Sequence, residues 1–161
     1  MKKNVLFVSP TFYQLPLTEN IVKKHQYLDE VANVTVLAFS NQKMAFKESE
    51  TNFYLSKKVK LRIFNYFKIF LISYIQIPKL INKHSIEIVT FQDPITSFIG
   101  IYKIKKNFKN VKIVIESHGD FINTLKLEKN LIFPNVYKKL FLKMASYTIK
   151  NADILRAVSS S

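Results

Sequence analysis

Short runs of β-branched and aromatic residues recur along this chain, and most of them end abruptly in a polar tip. Residues 112–120, K-I-V-I-E-S-H-G-D, show it most sharply: an apolar run closes on a carboxylate, a hydroxyl, an imidazole, a glycine and a second carboxylate. Apolar runs of this kind, separated by helical stretches, read as strands buried on both faces. That is the pattern of a parallel sheet covered by helices.

Residues 4–9 are the first such run, ended by Pro10. Thr18 is then placed to cap a helix in which Leu17, Ile21, His25, Leu28 and Ala32 recur at helical spacing, while Lys23, Lys24, Asp29 and Glu30 face away. Residues 33–39 form a second strand. Residues 40–58 are polar and poorly periodic and read as a long excursion, followed by a third short strand at 59–64. Residues 65–84 are a helix apolar almost all round, kinked or in its last turn at Pro78.

The fourth strand is 86–91, and the turn Gln92-Asp93-Pro94 leads to a helix started by Asp93 or Thr96 and running to about Asn107. A fifth strand covers 111–116. Pro134 suits a first helical turn, and Tyr137, Leu140, Phe141, Met144, Ala145 and Thr148 form the buried stripe of the helix it opens. Residues 153–159 are a sixth strand, expected to be buried, and the sequence stops as its polar tip begins, which reads as a domain cut off mid-architecture.

The expected fold is therefore α/β, a Rossmann-like open parallel sheet of about six strands with helices on both faces. Right-handed crossovers place every strand's C-terminal end along one edge, where open α/β sheets bind ligands. That edge would gather residues 9–11, Gln92 and Asp93, residues 117–120, and residues 159–161.

With 161 residues there is room for one domain with a single core, and 48% hydrophobic content with 14 Phe and 8 Tyr excludes disorder. The net charge is +14, yet Arg62 and Arg156 are the only arginines. Base-reading surfaces and phosphate clamps favour the arginine fork, whereas dispersed lysine reads first as a solvated surface. Attraction to an anionic membrane surface is the next reading and nucleic acid the last. Without cysteine there can be no disulfide or thiolate chemistry, which is compatible with a reducing cytoplasm. The apolar stretch behind the basic N-terminus is too short for a signal-peptide core. Residues 63–81 are interrupted by Asn65, Lys68, Gln76, Pro78 and Lys79, so no spanning helix is expected.

Gly100 and Gly119 are the only glycines, so neither a G-x-G-x-x-G turn nor a phosphate-binding P-loop can be built. His25 lies on a helical apolar stripe and reads as a core or boundary residue. His84 ends a helix, where a cation suits the dipole. Neither has a partner at metal-ligand spacing, so no metal is expected. His118 follows a buried strand directly and is flanked by Glu116, Gly119 and Asp120. It could hydrogen-bond a sugar hydroxyl or a phosphate, or it could cap the next turn, and the residues alone leave both open. Asp93 before proline reads first as a helix start.

Taken in order, V-L-F-V-S-P-T-F with its helix and N-V-T-V-L-A, then F-Q-D-P-I-T-S-F-I-G-I-Y, I-V-I-E-S-H-G-D-F and I-K-N-A-D-I-L-R-A-V-S-S-S, the chain resembles the N-terminal domain of family 4 glycosyltransferases of the GT-B fold. The resemblance spans residues 1–161 and implies the acceptor-side half of a retaining enzyme that transfers a hexose from a nucleotide-sugar to a glycan or glycolipid precursor, such as those of polysaccharide or lipopolysaccharide biosynthesis. It implies His118 and Asp120 as catalytic, with Gln92, Asp93, Ser117, Gly119, Ser159 and Thr11 binding substrate. The nucleotide-sugar would be a co-substrate held mainly by a C-terminal donor-binding domain absent from this sequence. No cofactor is implied, and the chain by itself is expected to be inactive.

Implied partners are a glycan or lipid-linked acceptor, that C-terminal domain, and an anionic membrane at the cytoplasmic face, which the lysine-rich surface and the aromatic helix of residues 65–84 would favour. The sequence departs from the family pattern in residues 10–17, which lack the glycines that let backbone approach the donor. Two other classes stay open: a non-catalytic Rossmann-like module that pairs with a separate donor-binding subunit, and a basic nucleic-acid-binding domain.

Overall fold

A computed structural model describes residues 2–60, 62–118 and 134–158. The strands are β1 (Lys3–Tyr13), β2 (Ala32–Ser40), β3 (Met44–Glu48), β4 (Thr51–Lys57), β5 (Ile88–Phe91), β6 (Lys112–His118) and β7 (Ile154–Val158). The helices are α1 (Glu19–Val31), α2 (Arg62–His84), α3 (Phe98–Asn107) and α4 (Pro134–Asn151). One 7-stranded sheet has the order β3-β4-β2-β1-β5-β6-β7. Every neighbouring pair is parallel except β3 with β4, so the expected Rossmann-like parallel sheet is present.

Alternation along the strands feeds two cores. Val34, Val36 and Ala38 of β2 and Phe53 and Leu55 of β4 face α1, where Ile21 and Leu28 meet them. Leu37, with Leu6 and Val8 of β1, faces the other way into a larger cluster with Ile77, Leu80, Ile81, Ile101 and Ile104 of α2 and α3. A period of two in the strands against 3.6 in the helices makes this division automatic.

Four expectations need correction. Residues 59–64 are not a strand: the polar excursion itself folds into the β3–β4 hairpin, and α2 begins at Arg62. The Asn65 carboxamide accepts from Val59 N at 2.8 Å and donates to Val59 O at 2.7 Å, which uses both backbone groups of Val59 in the turn before α2. Pro10 does not end β1. Pairing with β2 shifts register between Val8 and Phe12, and an irregularity of that kind tolerates a residue without an N–H. β7 is an exposed edge strand rather than a buried one, with Ile154 and Leu155 each 56% exposed. In α4, Phe141, Met144, Ala145 and Thr148 are buried as expected, but Leu140 is exposed and the Tyr137 side chain lies outside the described residues.

Two details of the helix ends also differ. Thr18 precedes α1 but makes no side-chain cap; its carbonyl accepts from Ile21 N and Val22 N. His84 ends α2, yet burial and then Lys83 hold its pKa below the ordinary histidine value, and its Nε2 sits 2.8 Å from the Tyr54 hydroxyl. Its ring thus bonds to Tyr54 of β4 as well as closing the helix. Pro78 lies inside α2, which carries on to His84.

Asp29 does not face solvent. Its Oδ1 accepts from the Thr51 hydroxyl at 2.8 Å and Oδ2 from Glu50 N at 3.0 Å, so α1 clamps the hairpin turn through one buried carboxylate. Replacing Asp29 with alanine strands both donors, and unmet buried donors cost about 1–3 kcal/mol each. Asp29→Ala is therefore expected to lower stability by roughly 2–3 kcal/mol in chemical denaturation, with Asp29→Asn intermediate because one acceptor remains. An alanine variant as stable as the parent would mean the clamp contributes nothing.

Among the described residues no helix is long and apolar enough to cross a membrane.

Candidate functional site

Because β1, β2, β4, β5 and β6 are mutually parallel along the sheet, their C-terminal ends share one edge. A cavity of about 510 Å³ opens there. Its wall comes from Pro10 within β1, Phe39 of β2, and Tyr66 and Ile69 of α2; Lys58, Lys60, Asn65, Asp93 and Thr96 supply its polar groups. Two ammonium groups against one carboxylate give the lining a net positive charge. Lys58 also lies 5.5 Å from the centroid of the Phe12 ring.

Asp93 combines two roles. Its Oδ1 accepts from Ile95 N at 2.9 Å and Thr96 N at 2.6 Å, fixing the turn that leads into α3 as the Asp-Pro pair predicts. The same residue lines the cavity. The turn is anchored from beneath: the Ser97 hydroxyl donates to Pro94 O at 2.9 Å, and the buried Thr148 hydroxyl of α4 lies 2.7 Å from the same carbonyl. A carboxylate held this firmly is pre-organised to accept hydrogen bonds from a ligand's hydroxyls.

A smaller cavity of about 230 Å³ adjoins β1 on the side of α1. Thr11 and Gln92 line it together, with Tyr13, Gln14, Thr18 and Lys24. The Ser9 hydroxyl donates to Thr11 Oγ1 at 2.5 Å and accepts from Thr11 N at 3.0 Å, which sets the Thr11 backbone. Gln92 and Asp93 are thus consecutive but open onto different cavities. The structure brings Thr11 to Gln92 and sets Asp93 apart with the lysines.

Ser117 lies on β6 opposite Ala157 of β7, outside the linings of both cavities. Beside it, buried Glu116 accepts from Arg156 Nη1 at 3.0 Å. His118 is the last residue of β6, paired in register with Val158, so its backbone stands at the expected edge. Its side chain, with Gly119, Asp120 and Ser159, lies outside the described residues. Among the described residues no cluster of three potential metal-ligating side chains exists.

Lys58, Lys60, Asn65 and Tyr66 were not singled out as site residues from sequence. The signal was present, since Lys58 directly follows a strand, but a strand assigned to residues 59–64 hides that tip.

No family model matches the sequence, and no curated protein matches it. Among solved structures, a sucrose-phosphate synthase from Thermosynechococcus elongatus is similar over 96% of this chain and 42% of that one, with a TM-score of 0.59 and 11% identity. At that identity the likeness is one of fold. The chain has a Rossmann-like α/β domain with the fold of half of a GT-B structure, and it spans less than half the length of that synthase.

Proposed function

We propose that the chain is the acceptor-side half of a retaining glycosyltransferase, related to family 4, that transfers a hexose from a nucleotide-sugar to a glycan or glycolipid precursor. The observation that carries this reading is the cavity at the strands' C-terminal edge, lined by a turn-anchored carboxylate and two lysines. Asp93 would accept hydrogen bonds from acceptor hydroxyls and orient the one that attacks. Lys58 and Lys60 suit an acceptor bearing a phosphate or carboxylate. Charge on the departing diphosphate needs its own fixed donors or cations, and these would belong to a separate donor-binding domain. His118 and Asp120 remain the proposed catalytic residues, with Ser117, Gly119 and Ser159 beside them and Thr11 and Gln92 in the adjoining cavity.

Ligand-observed NMR with sugars, sugar phosphates and nucleotide-sugars tests this directly. Sugar phosphates are expected to bind, and nucleotide-sugars to bind no more tightly than the sugar phosphates. Asp93→Asn keeps an Oδ1 acceptor for the turn but removes the charge, so it should weaken sugar binding about tenfold with little change in melting temperature. Tight nucleotide-sugar binding would put the donor site on this chain. Failure of every sugar, with a steeply salt-dependent affinity for DNA, would favour the nucleic-acid reading instead.

A further inference from the structure

Helix α2 has a second surface that the cavity leaves unused. Asn65, Tyr66 and Ile69 line the cavity, whereas Phe64, Phe67, Leu71, Tyr74 and Ile75 are between 41% and 61% exposed. Steps of three and four residues put those five on one helix face, so they form a continuous apolar stripe rather than scattered surface residues. No acidic residue occurs in α2, and exposed Lys79 lies on the same helix. On neighbouring α3, Lys103 Nζ sits 3.7 Å from the centroid of the Tyr74 ring, and Tyr102 is exposed.

We propose that this face of α2 docks on an anionic lipid bilayer, with Phe67 and Leu71 at the centre of the inserted stripe and Lys79 and Lys103 against lipid phosphates. The stripe is the outer side of a helix rather than a groove, so it fits a broad apolar surface better than a peptide. Charge decides between a membrane and a second copy of the chain. At +14 per chain, two copies repel, whereas an anionic leaflet attracts. Aromatic and aliphatic side chains framed by lysines are the composition of helices that lie in the headgroup region. The inference does not depend on the transferase reading, although docking through Phe64 and Phe67 would hold the large cavity beside the headgroups.

The chain has no tryptophan, so a single introduced indole reports its own surroundings. In Leu71→Trp, vesicles of phosphatidylcholine with phosphatidylglycerol are expected to shift the emission to the blue. In Tyr27→Trp, on exposed α1 across the sheet, they are expected to leave it unchanged. Phosphatidylcholine alone should act weakly, and the double variant Phe67→Ser/Leu71→Ser should co-sediment with the mixed vesicles on the order of tenfold less. No vesicle binding, equal shifts at both tryptophans, or unchanged sedimentation of the double variant would overturn the proposal. So would a blue shift of Leu71→Trp that grows with protein concentration in the absence of lipid, because the stripe would then cover a second copy.

Discussion

Gly100→Val is expected to destabilise the domain by about 3 kcal/mol and to lower its melting temperature by roughly ten degrees. Gly100 lies on the buried side of α3, and a β-carbon built there would stand 2.7 Å from Cε1 and Cζ of Phe91 and 2.8 Å from Cδ1 of Ile77. Phe91 is 1% exposed and Ile77 fully buried, so neither has open space into which to turn. Interiors are close-packed, and one added methyl group moves either the ring or the helix.

Two effects compete at this position. Glycine in a helix interior is worse than alanine by about 1 kcal/mol, so any side chain gains something locally. Overpacking a filled core costs about 1–3 kcal/mol, and valine adds two further methyl groups to the one that already collides. The collision wins for valine and narrowly for alanine, so Gly100→Ala should fall between valine and the parent in chemical denaturation. The damage also reaches the site, because Asp93 and Thr96 occupy the turn directly before α3 and shift with it. Valine within about 0.5 kcal/mol of the parent would mean that β5, α2 and α3 are more loosely packed than these distances state.

Burial on both faces makes some strands legible in the sequence. β1 and β2 read as strands because α1 covers one face and α2 and α3 the other, leaving unbroken apolar runs, and β5 and β6 send Val89, Phe91, Ile113 and Ile115 into the larger cluster. The β3–β4 hairpin was hidden for the opposite reason. β3 is an edge strand, and β4 alternates Phe53 and Leu55 with Asn52 and Ser56, so polar residues dilute the signal. Asp29 looked like a solvent-facing helical carboxylate because its partners, Glu50 and Thr51, belong to that same unseen hairpin. The rule that parallel strands end along one edge was enough to put Thr11, Gln92 and Asp93 at that edge. It could not assign them to separate cavities. That separation depends on the irregular course of β1 beyond Val8, a tertiary feature with only Pro10 to mark it.

Acid is expected to weaken the fold through His25, beginning well above the pH at which carboxylates titrate. His25 is 3% exposed, edge-on to Phe53 at 4.9 Å between ring centroids, and neither ring nitrogen has a hydrogen-bond partner among the described residues. Burial, with a smaller push from Lys24, holds its pKa down to about 4, and Asp29 opposes this only in part. In the unfolded chain the ring returns to about 6.5. The folded value is the lower one, so between the two the unfolded state binds more protons, and stability rises with pH. The neutral ring's contribution is therefore complete above about pH 6.5, falls away as the pH drops toward 4, and changes no further below that. A difference of that size is worth about 3 kcal/mol, a large share of the 5–15 kcal/mol typical of a domain. His25→Phe keeps an aromatic ring against Phe53 and removes the proton site, so its stability should be nearly flat across that window while the parent's declines. Urea midpoints measured from neutral pH down through this window decide the matter, and parallel curves for parent and variant would show that His25 takes up its proton without opening the core.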